Sequence, residues 1–268
     1  MSELAQRLLT AAVLGGVVLG LIIQAPTAWF AYFLVGVALI SLYEFGRLVA
    51  LKPFHQLLVI ALVAAVLTLA SSKIAEFYYH NLSVLTLLFL PVILFWLKNM
   101  ALVLQYPNKK PKHHPAFHAI NGVLWLTPLL GLAVLNNEHK DFLLWLLLIV
   151  VSADSCAYFV GKAFGKHKLA PQLSSGKTIE GVMGGLLGAV LATFAWMWVS
   201  NNVAWQFPLI ALISAACSVV GDLYESIYKR EAGVKHSGAI LPGHGGVLDR
   251  IDGLLAATPI FLMGTMLL

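Results

Sequence analysis

The chain has 268 residues, of which 60% are hydrophobic and only 11% carry a charge. A soluble domain of this size has about a quarter of its residues charged, so the composition excludes an ordinary water-soluble domain. The apolar residues come in runs of about 16 to 23, the length of a transmembrane helix. The runs also lack the alternation of a membrane barrel strand. The sequence therefore predicts an all-α, polytopic membrane protein.

Hydropathy predicts about nine transmembrane helices, taken here in chain order. The first run follows Arg7 and leads through Gln24-Ala25-Pro26 into the next run. We therefore expect a retained helix and no cleavable signal. The fourth run contains Pro91 and Lys98 and is the least regular. The predicted spans are 8–23, 27–46, 54–72, 82–104, 117–135, 142–160, 180–200, 203–224 and 251–268.

The basic residues separate by side when these spans are threaded through a membrane. All but Lys73 and Lys140 of the 17 Lys and Arg residues fall on one side. The positive-inside rule makes that side cytoplasmic, which predicts a cytoplasmic N-terminus and a C-terminus outside a bacterial inner membrane. Orientation and attraction to lipid headgroups then explain the net charge of +5 without a nucleic-acid partner. The basic side holds Arg7, Arg47, Lys52, Lys98, Lys109, Lys110, Lys112, Lys162, Lys166, Lys168, Lys177, Lys229, Arg230, Lys235 and Arg250.

Chemistry-bearing residues are concentrated in the second half of the chain. The sequence shows no internal repeat and no long soluble segment. We expect a single membrane domain over 1–268, with N-terminal transmembrane helices in 1–140. Catalytic helices and cytoplasmic loops are expected in 141–268.

Six carboxylates are predicted to gather at the cytoplasmic ends of the later helices. A carboxylate within a membrane span costs about 2.5–3.5 kcal/mol, so such residues tend to mark sites. Clustered carboxylates repel one another unless a cation lies among them, and oxygen ligands favour Mg²⁺ or Mn²⁺ over zinc. The six are Asp154, Glu180, Asp222, Glu225, Asp249 and Asp252.

Basic side chains and two glycine-containing segments share that predicted face. Carboxylates, a metal ion and Lys or Arg together form the usual apparatus for handling phosphates. The segment 174–178 precedes a helix, whose N-terminus can hold an anion. It lacks the upstream glycine of a P-loop. The segment 242–246, Pro-Gly-His-Gly-Gly, allows close approach of the backbone to a ligand.

The C-terminal motif resembles the signature of phosphatidate cytidylyltransferases, also called CDP-diacylglycerol synthases. It runs from Ser226-Ile-Tyr-Lys-Arg230 through Lys235 to Leu241-Pro-Gly-His-Gly-Gly-Val-Leu-Asp-Arg-Ile-Asp252. The resemblance extends upstream over 150–253, while the first half matches only in its hydrophobic helices. The upstream motifs are Ser152-Ala-Asp-Ser-Cys-Ala-Tyr158, Gly161-Lys162, Ser174 with Lys177-Thr178 and Glu180-Gly181, and Gly221-Asp222 with Glu225-Ser226.

The resemblance implies an all-helical, commonly dimeric membrane enzyme that requires Mg²⁺ and makes CDP-diacylglycerol and pyrophosphate from CTP and phosphatidate. It leaves open whether Mn²⁺ replaces Mg²⁺ and whether a second, monovalent cation shares the site. It implies that Asp222 and Asp249 bind the metal and are catalytic together with Lys177 and Arg250. It assigns substrate binding to Asp154, Lys162, Ser174, Thr178, Glu180, Lys229, Arg230, His244, Gly245 and Gly246.

Three positions depart from the family pattern. Tyr228 stands where an aliphatic residue or Phe is usual, and His236 stands where Asp is usual. Ser175-Gly176 replaces the usual Pro-Lys or Pro-Asn before Lys177. The His236 change removes a negative charge from the expected site, so a specialised or weakened paralogue stays open beside an active enzyme.

Three other functions remain as alternatives. A CTP-dependent polyprenol or dolichol kinase would release CDP in place of pyrophosphate. A transporter would use Asp154 as a coupling site at membrane depth, although the polar residues gather at one face and no inverted repeat is present. A CDP-alcohol phosphatidyltransferase would need a spaced aspartate motif that this sequence lacks.

Overall fold

The computed structural model describes residues 3–54, 56–57, 60, 82–111 and 114–266. The chain is 77% helical. It divides into two compact units, each assembled from separate stretches of the sequence.

Within the described residues, five stretches of helix are long and apolar enough to cross a membrane. Two shorter apolar helices cover Leu9–Ile23 and Phe89–Gln105. The described residues therefore support a multi-helical membrane protein, while the count of nine spans and the sidedness of the termini stay predictions. The five are Thr27–Leu48, Pro115–Glu138, Lys140–Phe164, Ile179–Ser200 and Gln206–Glu231.

The first unit comprises residues 1–85, 112–140 and 228–251. Two of its helices meet at Thr127, where Pro128 begins the second of them; together they cover the predicted span 117–135. The predicted span 54–72 falls largely outside the described residues. The unit contains α1 (Glu3–Ile23), α2 (Thr27–Leu48), α4 (Pro115–Leu126), α5 (Pro128–Glu138), the end of α8 (Gln206–Glu231) and the start of α9 (Leu248–Met266).

Helix α2 is the centre of the first unit and packs against α1, α4 and α5. An aromatic cluster forms at its C-terminal end. The ring of Phe45 lies edge-on to Trp125 at 5.3 Å and to Tyr228 at 5.2 Å. Such edge-to-face pairs are worth about 0.5–1.5 kcal/mol beyond their buried area. The aromatic neighbours explain how Tyr228, a departure from the family pattern, is accommodated while only 3% exposed.

The second unit comprises residues 86–111, 141–227 and 252–268. It holds the only strands in the described part of the chain, a short antiparallel hairpin that the sequence analysis did not predict. Its elements are most of α3 (Leu82–Gln105), α6 (Lys140–Phe164) from its second residue, β1 (Lys168–Ala170), β2 (Ser174–Thr178), α7 (Ile179–Ser200), most of α8 and most of α9.

Tryptophan stacking and a glycine contact hold the second unit together. Trp145 stacks on Trp196 with ring centroids 4.6 Å apart, and its Nε1 donates to Thr193 Oγ1 at 2.9 Å. Near the hairpin, α7 approaches α6 so closely that a Cβ on Gly185 would lie 2.7 Å from the carbonyl oxygen of Ala153. Small residues of this kind let membrane helices pack backbone to backbone. The glycine contact fixes α6 against α7 where the site is built.

Candidate active site

A cavity of about 410 Å³ lies in the second unit, between α6, β2, α7 and α8. Small apolar side chains such as Ala153, Ala157 and Ala215 form much of its wall. Pockets of this volume with a few convergent polar groups are typical small-molecule sites. Six residues that the sequence analysis assigned to the site line the cavity: Asp154, Lys162, Ser174, Lys177, Thr178 and Asp222.

Lys177 and Asp222 form the shortest charged contact of this cavity. Lys177 Nζ lies 2.5 Å from Asp222 Oδ2, and the two side chains are 24% and 37% exposed. The other carboxylate oxygen, Oδ1, accepts a long hydrogen bond of 3.5 Å from Ser226 Oγ. The pair therefore combines a cation suited to phosphate with a carboxylate that retains acceptor capacity.

The hairpin places Lys177 at the cavity. Strand β2 pairs with β1 in the register Lys168 to Thr178. Thr178 then ends the strand and caps α7, because its Oγ1 accepts from Gly181 N at 3.1 Å. Asn, Asp, Ser and Thr are the residues favoured at this capping position. The segment 174–178 is thus a strand that leads directly into a helix N-terminus.

Glu180 lies in the first turn of α7, where it holds the chain that leads into the hairpin. Its carboxylate accepts from the backbone N–H of Lys166 at 3.1 Å and of His167 at 3.2 Å. His167 Nδ1 lies 2.6 Å from Glu180 Oε1. These contacts give Glu180 a supporting position next to the cavity residues.

Asp154 and Lys162 both belong to α6 and lie about two turns apart on the same side of the helix. Asp154 lies on the cavity wall and is solvent-exposed in this unit. Lys162 Nζ lies 5.9 Å from the ring centroid of Tyr158, which also lines the cavity. A cation over an aromatic ring is attracted by the ring quadrupole. The contact holds the Lys162 ammonium at the cavity rim.

The remaining predicted residues lie in the first unit, around a second ion pair. Lys229 Nζ donates to Asp249 Oδ1 at 2.7 Å, and the two side chains are only 9% and 4% exposed. Asp249 Oδ2 also accepts from the backbone N–H of Ser237 at 3.0 Å and of Gly246 at 2.9 Å. Burial raises the pKa of Asp249, but the Lys229 hydrogen bond and charge, with the two N–H donors, hold it below its usual value.

The signature loop, defined here as residues 235–250, makes a tight turn over this ion pair. Gly243 and Gly245 have φ values of 75° and 87°, in the left-handed region that favours glycine. Leu241 and Gly245 close the turn with two backbone hydrogen bonds of 2.9 and 3.1 Å. His244 lies at the tip of this turn, and Arg250 is exposed in the first turn of α9. Arg230, also exposed, donates to the carbonyl of Val234 at 3.3 Å.

The donor sets differ in how well they suit Mg²⁺. No group of three or more His, Cys, Asp or Glu side chains among the described residues has the spacing of a metal site. Mg²⁺ commonly uses one or two carboxylates together with water and substrate phosphates, so such a group is not required. Asp222 fits this description because Oδ1 has only the long Ser226 contact. Asp249 has both oxygens occupied by Lys229 and two backbone amides.

The sequence patterns did not identify one buried carboxylate that has several hydrogen-bond donors around it. Glu44, in α2 of the first unit, is 1% exposed and accepts from the backbone N–H of Val247 at 3.1 Å and of Leu248 at 2.9 Å. Its position within a predicted span was the available signal, since a carboxylate there is costly without partners. Its partners lie about 200 residues further along, so local sequence patterns do not reveal them.

Comparison with known proteins agrees with the C-terminal motif. The family model described as "Cytidylyltransferase family" matches residues 5–268. The phosphatidate cytidylyltransferase of Haemophilus influenzae is 35% identical, over 96% of this chain and 97% of its own. That of Pseudomonas aeruginosa is 38% identical, over 96% and 95%, and that of Brucella suis is 35% identical, over 98% and 93%.

The matches extend through the N-terminal helices, for which the motifs alone gave little information. The family model covers nearly the whole chain, and the relatives align along almost their full lengths. The chain belongs to the cytidylyltransferase family.

Proposed function

We propose that this chain transfers the cytidyl group of CTP to phosphatidate, giving CDP-diacylglycerol and pyrophosphate. One observation carries the proposal: six predicted site residues line one cavity whose wall is apolar and whose rim is charged. The apolar wall suits a lipid, and the charged rim suits phosphates. The curated relatives that share the chain's full length carry the name of this activity.

The reaction joins two anions, so charge must be offset where they meet. An oxygen of the phosphatidate phosphate forms a bond to the α-phosphorus of CTP, while the bond from that phosphorus to the bridging oxygen breaks and pyrophosphate leaves. Lys177 and Lys162 are placed to offset phosphate charge at the cavity rim. Preorganised charge of this kind is usually the largest catalytic contribution. The phosphate already carries its nucleophilic oxygen, so the mechanism needs no strong general base.

The metal expected from the resemblance is assigned to Asp222. Its Oδ1 retains acceptor capacity, and carboxylate oxygen is a ligand that Mg²⁺ prefers. Bound Mg²⁺ would supply positive charge to the phosphate oxygens. Lys177 would move from Asp222 towards the nucleotide phosphates. The role of Asp249 as a second ligand stays a prediction from the resemblance, as do Mn²⁺ and a monovalent cation.

The proposed location is a bacterial inner membrane with the basic loops in the cytoplasm. Support comes from the five long apolar helices and from the charge bias of the loops. CTP then enters from the cytoplasm, and phosphatidate arrives from the inner leaflet with its acyl chains in lipid. Single cysteines are introduced at 110 and 137 in a chain whose Cys156 and Cys217 have been replaced. The cysteine at 110 should react with an impermeant maleimide only after lysis, whereas the cysteine at 137 should already react in intact cells whose outer membrane is permeabilised.

The homodimer implied by the resemblance is kept as a proposal. Static light scattering with the detergent contribution subtracted gives the protein mass directly. A mass of two 29.0 kDa chains is expected, and a single-chain mass at working concentrations would contradict it.

Product analysis tests the activity. The purified protein is given phosphatidate, Mg²⁺ and α-labelled CTP, and both lipid label and pyrophosphate are followed. Equal amounts of the two are expected, with both lost in Asp222→Asn and retained in Asp141→Asn. Asp141 is an exposed carboxylate at the opposite end of α6 and serves as the matched control.

Other outcomes would redirect the assignment. Labelled CDP in water without lipid label, once polyprenol is offered, would indicate a kinase. No turnover with either lipid would overturn the proposed activity and direct attention to His236 and Ser175-Gly176.

A further inference from the structure

Glu44 contacts the signature loop at three points. Its Oε1 accepts from Val247 N at 3.1 Å, and its Oε2 accepts from Leu248 N at 2.9 Å. Oε2 also accepts from Ser237 Oγ at 3.3 Å. The two amides belong to Val247, which immediately precedes α9, and to Leu248, its first residue. Amides at a helix start have no partner within the helix, so an anion there satisfies them and is favoured by the helix dipole.

The loop is shaped to fit this carboxylate. A Cβ on Gly246 would lie 2.6 Å from Glu44 Oε2, and one on Gly238 would overlap Glu44 Oε1. Neither glycine has a positive φ, so close neighbours, and not backbone conformation, account for the absent side chains. Glu44 is the neighbour at Gly238, whereas Ser237 Oγ and Glu44 together crowd Gly246. The buried Glu44 thus leaves no room for a side chain at Gly238 and, together with Ser237, at Gly246.

Glu44 and Asp249 hold the same loop residues from two sides. Ser237 donates its backbone N–H to Asp249 and its hydroxyl to Glu44. Gly246 donates its N–H to Asp249, and a Cβ on it would lie against Glu44. Any shift of Glu44 must therefore move the loop atoms that bind Asp249, which the family resemblance makes catalytic.

We infer that Glu44 is a positioning residue for catalysis, which fixes the signature loop and through it the Asp249 carboxylate. The inference rests on the proposed cytidyl transfer. Glu44 itself touches no substrate in this assignment. Glu44 is buried, and a buried carboxylate is stable only while its hydrogen-bond donors stay in place. The carboxylate and the loop therefore hold each other in position.

The kinetic test uses Glu44→Gln, which keeps the side-chain size and removes the charge. We expect kcat to fall at least tenfold, with KM for phosphatidate changed less than threefold. Leu42→Ala is the matched control, since Leu42 is buried two residues away on α2, where its side chain lies beside Gly122 of α4. It should lower the unfolding temperature at least as much as Glu44→Gln while kcat stays near wild type. An equal loss of kcat in Leu42→Ala would reduce Glu44 to a structural role.

A second variant and a second measurement distinguish a local effect on the loop from general misfolding. Ser237→Ala removes only the hydroxyl contact and should lower kcat by a few-fold. Hydrogen exchange of the peptide covering 237–248 should accelerate in Glu44→Gln and stay unchanged in Leu42→Ala. Unchanged kcat and unchanged exchange in Glu44→Gln would overturn the inference. An inactive wild type would instead overturn the proposed function, while the exchange data still decide whether Glu44 holds the loop.

Discussion

The ammonium nitrogen of Lys177 lies 2.5 Å from Oδ2 of Asp222, at the rim of the cavity in the second unit. Lys177 comes from a short strand and Asp222 from a long helix, so the hairpin is what brings them together. Both side chains retain access to solvent. An exposed pair of this kind contributes little to stability, which frees it for exchange with ligands.

Replacing Lys177 tests whether that pair serves catalysis. Lys177→Met should lower kcat by about 10²-fold or more, because it removes charge stabilisation that strengthens as phosphate charge develops. The unfolding temperature should stay near wild type, since the pair is partly exposed. Steady-state rates of lipid labelling measure the effect, with Lys140→Met at the far end of α6 as control.

A result in which Lys177→Met and Lys140→Met have equal rates would remove Lys177 from the catalytic set. Lys177→Arg should retain part of the activity, because the charge is kept while the geometry changes.

Close packing of α6 on α7 predicts a steric effect at Gly185. Gly185→Ala would place a Cβ 2.7 Å from the carbonyl oxygen of Ala153, a backbone atom that cannot move alone. Overpacking of this kind costs about 1–3 kcal/mol. Thermal unfolding in detergent measures the loss. Gly36→Ala is the matched control, because its Cβ would meet no atom within 4 Å, and a similar loss there would contradict the steric explanation.

Much of the helical architecture could be predicted, because long apolar runs leave the backbone few choices in lipid. The predicted span 27–46 corresponds to Thr27–Leu48, and 180–200 corresponds to Ile179–Ser200. The hairpin was not predicted, since its strands are three and five residues long and carry no apolar alternation. Strands this short depend on tertiary contacts that a local pattern does not contain.

The site was predicted unevenly for a related reason. The motif residues around Lys177 lie close together in sequence and on one cavity, so the motif located them. Glu44 was missed because its partner Val247 is 203 residues away. The glycines at 238 and 246 likewise make sense only when the side chains that crowd them, Glu44 and Ser237, are known.

The buried pair of Lys229 and Asp249 predicts a pH dependence of stability. Asp249 has a lowered pKa in the folded protein, so its carboxylate stabilises the fold above the unfolded value of about 4. That contribution is lost as the pH falls through the lower, folded pKa. Unfolding temperatures measured from pH 7 down to pH 3 should therefore decrease at the acid end, and Asp249→Asn should show a smaller acid-dependent decrease.

Removing the cation of the same pair should destabilise the fold more than removing both charged partners. Lys229→Met leaves a buried carboxylate without its ammonium partner, which costs about 3–5 kcal/mol. Lys229→Met with Asp249→Asn should recover part of this loss at pH 7. Unfolding temperatures of the four proteins of this cycle give the coupling, and strictly additive losses would show that the pair is not energetically coupled.

The departure at position 236 predicts a dependence on divalent cations. His236 Nδ1 lies 3.7 Å from Asp249 Oδ2, so His236→Asp, the usual family residue, would bring a second carboxylate towards a buried one. Like charges at this range repel unless a cation lies between them. With chelator present, His236→Asp should unfold at a lower temperature than wild type. Adding Mg²⁺ should raise the unfolding temperature of His236→Asp by more than it raises that of wild type. His236→Asn has similar size without the charge and should respond to Mg²⁺ as wild type does. An equal loss in the Asp and Asn variants would show that the lost imidazole, and not the added charge, is the cause.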